Sequence, residues 1–342
     1  LELLGHDTTI FGKDFSYIDG EDVPTVASNY ASASVYPVSV ETQYDEATLV
    51  ERCEATFRPF AATDGVPVRS QRHFYMYEEE TAEAIPPRMD AEPLDEYRGV
   101  VPSRTGGRVV DGYTCREYMV EMPEYMPALY EVYQELGGVT RERTVEPGEP
   151  ASLPGAYTIN CSGYGSRRLF ADESMRAMKG HILQVPYEHE TPLEFSYVYS
   201  PSDYDGYAYM YPRKDSVVFD GSYLVGDIVD GTWEGEAVSR PIALDGERVP
   251  ERLVVVNEEI LNDYVDFDRG DIAVKYGYRP YRERGLRIES DGEIVHNYGH
   301  GGAGVSLSWT SAIDAIGLID TVPEDITNRV ARRMGELAES TA

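Results

Sequence analysis

Residues His296 to Trp309 read HNYGHGGAGVSLSW, with glycines at 299, 301, 302 and 304. The apolar run EIVHNYG ahead of them suits a strand, and Val305, Leu307, Trp309, Ile313, Ile316 and Leu318 behind them suit a helix. A strand, a glycine turn and a helix start aim unpaired backbone N–H groups at an electron-rich ligand. Glycine removes the side chains that would keep that ligand away. So late a position in the chain is unusual for a phosphate cradle and suggests contact with a larger group.

Other chemistries find less support. Cys53, Cys115 and Cys161 are widely spaced and form no CxxC, so neither a disulfide framework nor a zinc site is expected, and all three read as buried free thiols. The six histidines show no HExxH or other metal-ligand spacing.

The elements that must position the glycine turn follow from the pattern around it. LELLGHDTTIFG reads as a helix end, a turn at Gly5 and a strand from Thr8 to Phe11, as in the second half of a βαβ dinucleotide unit. No GxGxxG occurs in the 342 residues, and a truncated start lacking the first strand, its glycine turn and most of the first helix is the simplest account. A loop from Phe15 to Thr25 and the small-residue stretch ASNYASASVYP (Ala27 to Pro37) follow. Tyr44 to Arg58 and Met122 to Gly138 have helical apolar spacing, the second closed by Gly137. VTRERTVE (Val139 to Glu146) alternates like a strand, and AYTINCSGYG (Ala156 to Gly165) is a strand running into a second glycine turn. From Lys179 to Phe267 short strands dominate, with HILQVPYE, FSYVYS, YAYMYPR, SVVFDGSYLVG and ERLVVV among them. A last helix, Pro323 to Glu339, has Thr321 and Glu324 as its capping box.

At this length the chain can bury a large core. It carries 61 acidic and 30 basic residues, a net charge of −31, and only four of the basic residues are lysines. Such a chain repels nucleic acid and anionic membranes. The charge is dispersed, which suits an acidic surface screened by high salt, so a halophilic cytoplasm is the expected setting. No run of about 18 apolar residues is present.

Four segments, in this order, resemble the D-amino-acid oxidase family of FAD enzymes: FGKDF with TVASNYASASVYP, INCSGYGSRRLF followed by KGHILQVP, YGYRPYRERGLRIE (Tyr276 to Glu289), and HNYGHGGAGVSLSW. The resemblance covers residues 1 to about 320. It implies an α/β fold in which an FAD-binding Rossmann-like domain (1–45, 122–175 and 270–342) is interleaved with a mostly antiparallel β substrate-binding domain (46–121 and 176–269). It implies oxidation of a D-amino acid to an imino acid, then keto acid and ammonia, with dioxygen reduced to hydrogen peroxide. The D-amino acid and dioxygen are the expected partners, together with a second copy in a homodimer.

Residue roles carry over by position. Arg279, in GYRP, would pair with the substrate carboxylate, for which a planar guanidinium fork is suited. Tyr209, in YAYMYP, would donate its hydroxyl to the same carboxylate, with Tyr207 and Tyr211 expected on the opposite strand face and open to a shift of register, and Tyr204 or Tyr207 as a lid. Gly302 also faces substrate in this reading. Gly301, Gly302, Ala303, Gly304, Val305 and Ser306 are assigned to FAD, the helix start there opposing the negative charge that gathers on the reduced ring. Lys13 and Asp14 match adenosine-side residues, Ser28, Ala33 and Ser34 the loop over the pyrophosphate and flavin, and Val145 and Ser162 further contacts. His300 reads as structural. Family members acting on D-aspartate carry an arginine where this chain has Ser202, so a neutral substrate is expected, although Arg213 or Arg282 could take that arginine's place. The alternatives are a related flavin amine oxidase acting on glycine, a secondary amine or D-aspartate, and a flavin-free remnant serving as a binding protein.

Overall fold

The structure, a computed structural model of the chain, describes residues 1–15, 23–37, 40–81, 85, 88–187 and 193–341. Most of the loop expected from Phe15 to Thr25 lies outside them. The chain forms two compact units, each discontinuous in sequence: residues 1–69, 120–178 and 278–342, and residues 70–119 and 179–277.

In the first unit, β1 (Thr9–Gly12) pairs in parallel with β5 (Val139–Glu142), from Thr9↔Val139 to Gly12↔Glu142. The strand expected to run to Glu146 stops at Glu142 because β1 ends opposite it. A second small sheet pairs β6 (Thr158–Asn160) in parallel with β17 (Ile294–Tyr298), and β17 antiparallel with β16 (Arg287–Asp291). Helices α1 (Glu46–Ala61), α2 (Met122–Glu135), α5 (Gly304–Ile316) and α6 (Ile326–Thr341) supply the apolar packing, and the single turn α3 (Ser166–Leu169) follows β6. Asp45 caps α1 by accepting from Thr48 N at 3.0 Å, and Leu49, Val50, Cys53, Phe57 and Phe60 bury one face of the helix. Phe60 is fully buried, stacked on Trp309 at 5.0 Å and edge-on to Tyr125 at 6.0 Å. Arg52 forks onto Asp314 of α5.

The capping box expected at Thr321 and Glu324 does not form. Pro323 keeps Val322 out of helical conformation, Ile326 N donates to Pro323 O at 3.1 Å, and α6 starts only there, with Asp325 paired to Arg329 at 3.0 Å. Cys53 and Cys115 are buried as expected, but Cys161 is exposed: it follows the buried Asn160 where β6 runs out into its turn.

The second unit is built on a ten-stranded, mostly antiparallel sheet. Its order is β12 (Thr232–Gly235), β11 (Leu224–Val229), β7 (Met175–Pro186), β10 (Ser216–Asp220), β9 (Ala208–Pro212), β8 (Phe195–Ser200), β2 (Val68–Tyr77), β4 (Asp111–Val120) and β3 (Glu92–Pro93), with β15 (Ala273–Arg282) also on β7. The β2–β8 pair is parallel, and a separate antiparallel hairpin joins β13 (Pro241–Leu244) to β14 (Glu247–Pro250). One sheet face is covered by α4 (Glu251–Leu261), whose Leu253, Val254, Val256, Ile260 and Leu261 pack with Tyr197, Tyr199, Met210 and Phe219. This corrects ERLVVV, which the β-branched run marks as a strand. Residues 253, 254, 256, 257, 260 and 261 make a stripe of helical period, and its burial outweighs the local preference of three valines. Asn257 within that stripe is satisfied, accepting from Tyr197 OH at 2.7 Å and donating to Leu253 O at 2.6 Å.

Phe60 is the apolar centre of the first unit's helices. Phe60→Ala is expected to cost about 3–5 kcal/mol, measured as a lower urea midpoint by far-ultraviolet circular dichroism.

Candidate functional site

In the first unit parts of the family-like segments come together. Asp172, two residues ahead of Ser174 in the ADES turn that follows INCSGYGSRRLF, joins that segment's end to two others. Its Oδ1 accepts from Ser174 N at 3.1 Å and Ser174 Oγ at 2.5 Å, and its Oδ2 from Arg282 Nε at 2.8 Å and Tyr298 OH at 2.7 Å. Arg282 belongs to GYRPYR and Tyr298 to HNYGHGG. The same two segments touch through a backbone bridge, Tyr281 to His300. Gly299 has φ +92°, and a Cβ on it would lie 2.8 Å from Arg282 Cβ, so glycine is required where the arginine crosses. Gly163 of the NCSG turn lies against Pro280, and Tyr278 N donates at 2.8 Å to the carbonyl of Pro24, three residues ahead of the small-residue loop.

A second polar network lies on β6 and β17. Asn160 holds Ser162 through Ser162 N at 3.1 Å and Oγ at 2.7 Å, and its amide donates to His296 Nδ1 at 3.1 Å. Burial, and then Arg287, lower the His296 pKa. His300 is lowered to about 4 by burial and its Nε2 lies 2.9 Å from Ser311 Oγ. It is neutral at neutral pH and tied into α5.

The glycine turn forms a short 3-10 turn, Gly301–Ala303, leading into α5. No side chain caps α5, so its first N–H groups depend on other partners. Ser306 is buried and its hydroxyl donates to Ser34 O at 3.0 Å and Tyr36 O at 3.1 Å. The side chain therefore fastens the small-residue loop to α5, and what Ser306 and Val305 offer a ligand is backbone N–H. Gly302 is exposed, while Gly301 and Ala303 are buried. Ala33 is buried in a left-handed conformation, φ 59°, with its carbonyl accepting from Val120 N at 3.0 Å. Such strain in a residue with a Cβ gathers at functional sites. Ser28 is exposed in the turn Ala27–Tyr30. Lys13 and Asp14 are exposed directly after β1, and Val145 follows β5, its carbonyl held by Arg168 at 3.1 Å. Arg279 is half-buried on β15, three residues before the anchored Arg282.

In the second unit, alternation along β9 puts Tyr207, Tyr209 and Tyr211 on one sheet face with Val198, Met119 and Tyr223, away from α4. All three tyrosines share that face, so the choice between them is one of position along the strand. Tyr209 OH donates to Asp220 Oδ2 at 2.5 Å. Tyr204 lies under Arg240, 4.1 Å from guanidinium to ring centre. Ser202 donates to Glu78 through N and Oγ at 2.9 and 2.7 Å. Arg104, the guanidinium beside it, is saturated by Asp203, Glu78 and Glu259. Among the described residues no cluster of His, Cys, Asp and Glu could hold a metal, and no helix is long and apolar enough to cross a membrane.

Two units of this build, with a glycine turn feeding an uncapped helix, are those of a flavin-linked oxidoreductase. The family model "FAD dependent oxidoreductase" matches residues 11–315, and the chain belongs to that family. It is 28% identical over 218 residues to D-amino-acid oxidase of Dictyostelium discoideum (62% of this chain, 57% of that protein) and 29% identical over 207 residues to D-aspartate oxidase of Homo sapiens (58% and 54%). The chain thus spans little more than half the length of the curated relatives it matches. The solved structure of glycine oxidase from Geobacillus kaustophilus superposes with a TM-score of 0.64 at 15% identity, over 96% of this chain and 92% of that one, a likeness of fold alone.

The first unit fits the family's cofactor. Ser32 Oγ, in the small-residue loop, is buried without a hydrogen-bond partner, and the start of α5 has no capping side chain. A flavin dinucleotide offers acceptors to both. Val305, Ser306 and the loop from Ala33 to Ser34 are the groups that would hold it.

Asp172, Tyr298 and Asn160 were not singled out in the sequence. The available signal for Asp172 was the Asp-x-Ser spacing of an Asx turn. Partial burial raises the Asp172 pKa, but the hydrogen bonds from Ser174, Arg282 and Tyr298 outweigh it and hold the carboxyl well below the usual range. A carboxylate with a depressed folded pKa stabilises above its unfolded value of about 4 and loses that contribution as pH falls through the folded value. Asp172→Asn should therefore melt below wild type at pH 7, and the two melting curves should converge as the pH is taken below about 4. A gap that stays constant down to the acid limit contradicts the assignment.

Proposed function

We propose that the protein oxidatively deaminates a neutral D-amino acid with FAD as its cofactor. The observation that carries this reading is the bridge from Tyr281 to His300, which sets the strand bearing Arg279 directly beside the glycine turn of α5. Arg279 grips the substrate carboxylate, and two parallel N–H···O bonds fix its orientation as well as its place. Bound FAD would supply the two-electron acceptor, taking a hydride from the substrate Cα and passing its electrons to dioxygen as hydrogen peroxide, while water converts the imino acid to keto acid and ammonia. No side chain need remove a proton once the amine is neutral, so the protein's part is alignment. The N-terminal N–H groups of α5 stabilise negative charge developing near them.

The relatives named D-amino-acid oxidase and D-aspartate oxidase support a D-amino acid. Two arginines that could receive a second carboxylate are committed elsewhere, Arg282 to Asp172 and Arg104, beside Ser202, to three carboxylates, which supports a neutral substrate. Arg213, just after β9, is the remaining route to an acidic one, and the D-aspartate arm of the panel tests it.

The test is anaerobic mixing of the flavin-loaded protein with a panel of D-amino acids, D-aspartate, glycine, sarcosine and proline. Bleaching by a neutral D-amino acid is expected, and bleaching by no D-amino acid sinks the reading. Arg279→Ala should keep the yellow colour but lose at least about 100-fold in kcat/KM. Arg279→Lys should recover only part of it, because an ammonium cannot form the fork.

A further inference from the structure

The amide of Asn160 can face only one way. Ser162 N donates to Asn160 Oδ1 at 3.1 Å, and a backbone N–H has nothing to accept with. The oxygen therefore points at Ser162, whose hydroxyl donates to it as well, at 2.7 Å. The amide nitrogen is left for Ser166 Oγ and His296 Nδ1, both at 3.1 Å. An NH2 group only donates, so Nδ1 must accept. That fixes His296 as a neutral imidazole with its hydrogen on Nε2. Asn160, Ser166 and His296 are all buried, and Phe170 packs edge-on to the imidazole at 4.8 Å. From β16 the ring is faced by Arg287, Glu289 and Asp291, and from the ADES turn by Asp172. Burial and then Arg287 oppose a second proton, and they outweigh the three carboxylates.

The network leads to the segment that carries Arg279. Gly163 has φ +53°, and a Cβ on it would lie 3.4 Å from Pro280 Cβ, so the turn backs onto GYRPYR. On the other side β17, which carries His296, runs on to His300 and its bridge to Tyr281. Pro280 and Tyr281, the two residues after Arg279, are thus met from the two strands that Asn160 and His296 join.

We propose that His296 is a positioning residue that works only when neutral: it orients Asn160, Asn160 holds the Ser162–Gly163 turn against Pro280, and Arg279 is thereby kept in place for the substrate carboxylate. A protonated His296 sets an N–H against the Asn160 NH2. Turning the amide over moves the clash to Ser162 N, so one side of the network has to open. The hold is present above the His296 titration and lost as pH falls through it, at a value that burial places below the ordinary 6.5. The service to Arg279 rests on the function proposed above, and the hold on the turn does not.

The experiment uses the flavin-loaded full chain, labelled with nitrogen-15. Proton–nitrogen correlation NMR should show the His296 hydrogen on Nε2 at pH 7, and on acidification the Ser162 amide signal should move with the imidazole's midpoint. Propionate is the carboxylate probe for Arg279, its affinity read by calorimetry. His296→Gln keeps an oxygen that can accept from Asn160 but does not titrate, so at pH 7 it should bind propionate within about threefold of wild type. Across the His296 titration wild type should lose about tenfold more affinity than His296→Gln, which also controls for the ionisation of propionate. His296→Leu, with no acceptor, should bind about tenfold more weakly than His296→Gln at pH 7. A merely structural histidine gives wild type and His296→Gln the same pH profile. That outcome, a hydrogen on Nδ1, or a Ser162 signal indifferent to the imidazole overturns the proposal. The last two are read without substrate, and bleaching by the amino-acid panel alone decides the function. Should His296→Leu fail to fold, His296→Gln and the wild-type signals remain decisive.

Discussion

The Asp172 carboxylate is the constraint on which the first unit's site depends. It collects Ser174, Arg282 and Tyr298, which come from three separate stretches of chain. Each donor is charge-assisted, and the group is largely shielded from water, so every bond is stronger than its exposed equivalent. Removing the acceptor would leave the Arg282 Nε–H and the hydrogen of the buried Tyr298 hydroxyl without an acceptor, although Arg282 keeps the carbonyls of Arg284 and Gly285 and Tyr298 keeps Arg287. Arg279 is affected through geometry. Side chains alternate along a strand, so anchoring Arg282 to one face of β15 directs Arg279, three residues earlier, to the other. The bridge from Tyr281 to His300 then fixes how far along the glycine turn that face lies. Arg282 thus determines where Arg279 can reach without itself needing to meet a ligand.

The second unit answers to a different constraint, a sheet with one dry and one polar face. Under α4 the core is apolar and close-packed. On the sheet's other strands a wholly buried cluster joins Arg88 to Glu117 at 2.9 Å and Tyr75 OH to Glu117 at 2.8 Å, with His73 stacked on Tyr211 at 5.6 Å. Burial lowers His73 to about 4, so it is neutral beside the ion pair. Two charges taken out of water together are a weak source of stability, but removing either one exposes the other to the full cost of desolvation. Such a layer fixes the register of β2 and β4 by disallowing a slip, since a one-residue shift would bury each charge without its partner.

What was legible in the sequence, and what was not, divides along physical lines. The four family-like segments stood out because their glycines and prolines answer to backbone geometry, and backbone geometry acts locally: Gly299 is required where Arg282 crosses it, and Gly163 is favoured by its φ of +53°. The helices α1, α2 and α5 followed from apolar spacing. The sequence was misleading at ERLVVV, where the preference of three valines is local and the stripe that overrules it extends five residues beyond them. It was silent at Asp172 and Asp220, two acidic residues among 61. What distinguishes them is the set of donors that converge on them, and those donors lie up to 126 residues away. The thiol of Cys161 was misplaced for a similar reason: whether β6 continues or turns decides which side of the chain it occupies.

Hydrogen-bond direction is a further property that residue type does not contain. Tyrosine can donate or accept, and Arg279 and Tyr209 look interchangeable as carboxylate ligands when only their positions are known. Their partners separate them. Arg279 has donors alone and must meet an acceptor whatever surrounds it. Tyr209 has one hydrogen, and a buried carboxylate directly across the strand pair has first claim on it. The same argument applies to Ser306, whose hydroxyl is spent on Ser34 and Tyr36, so that its backbone N–H is what it has left to offer. Polar groups in a folded site are rationed by their internal partners before any ligand arrives, and a substrate is recognised by the bonding capacity that remains.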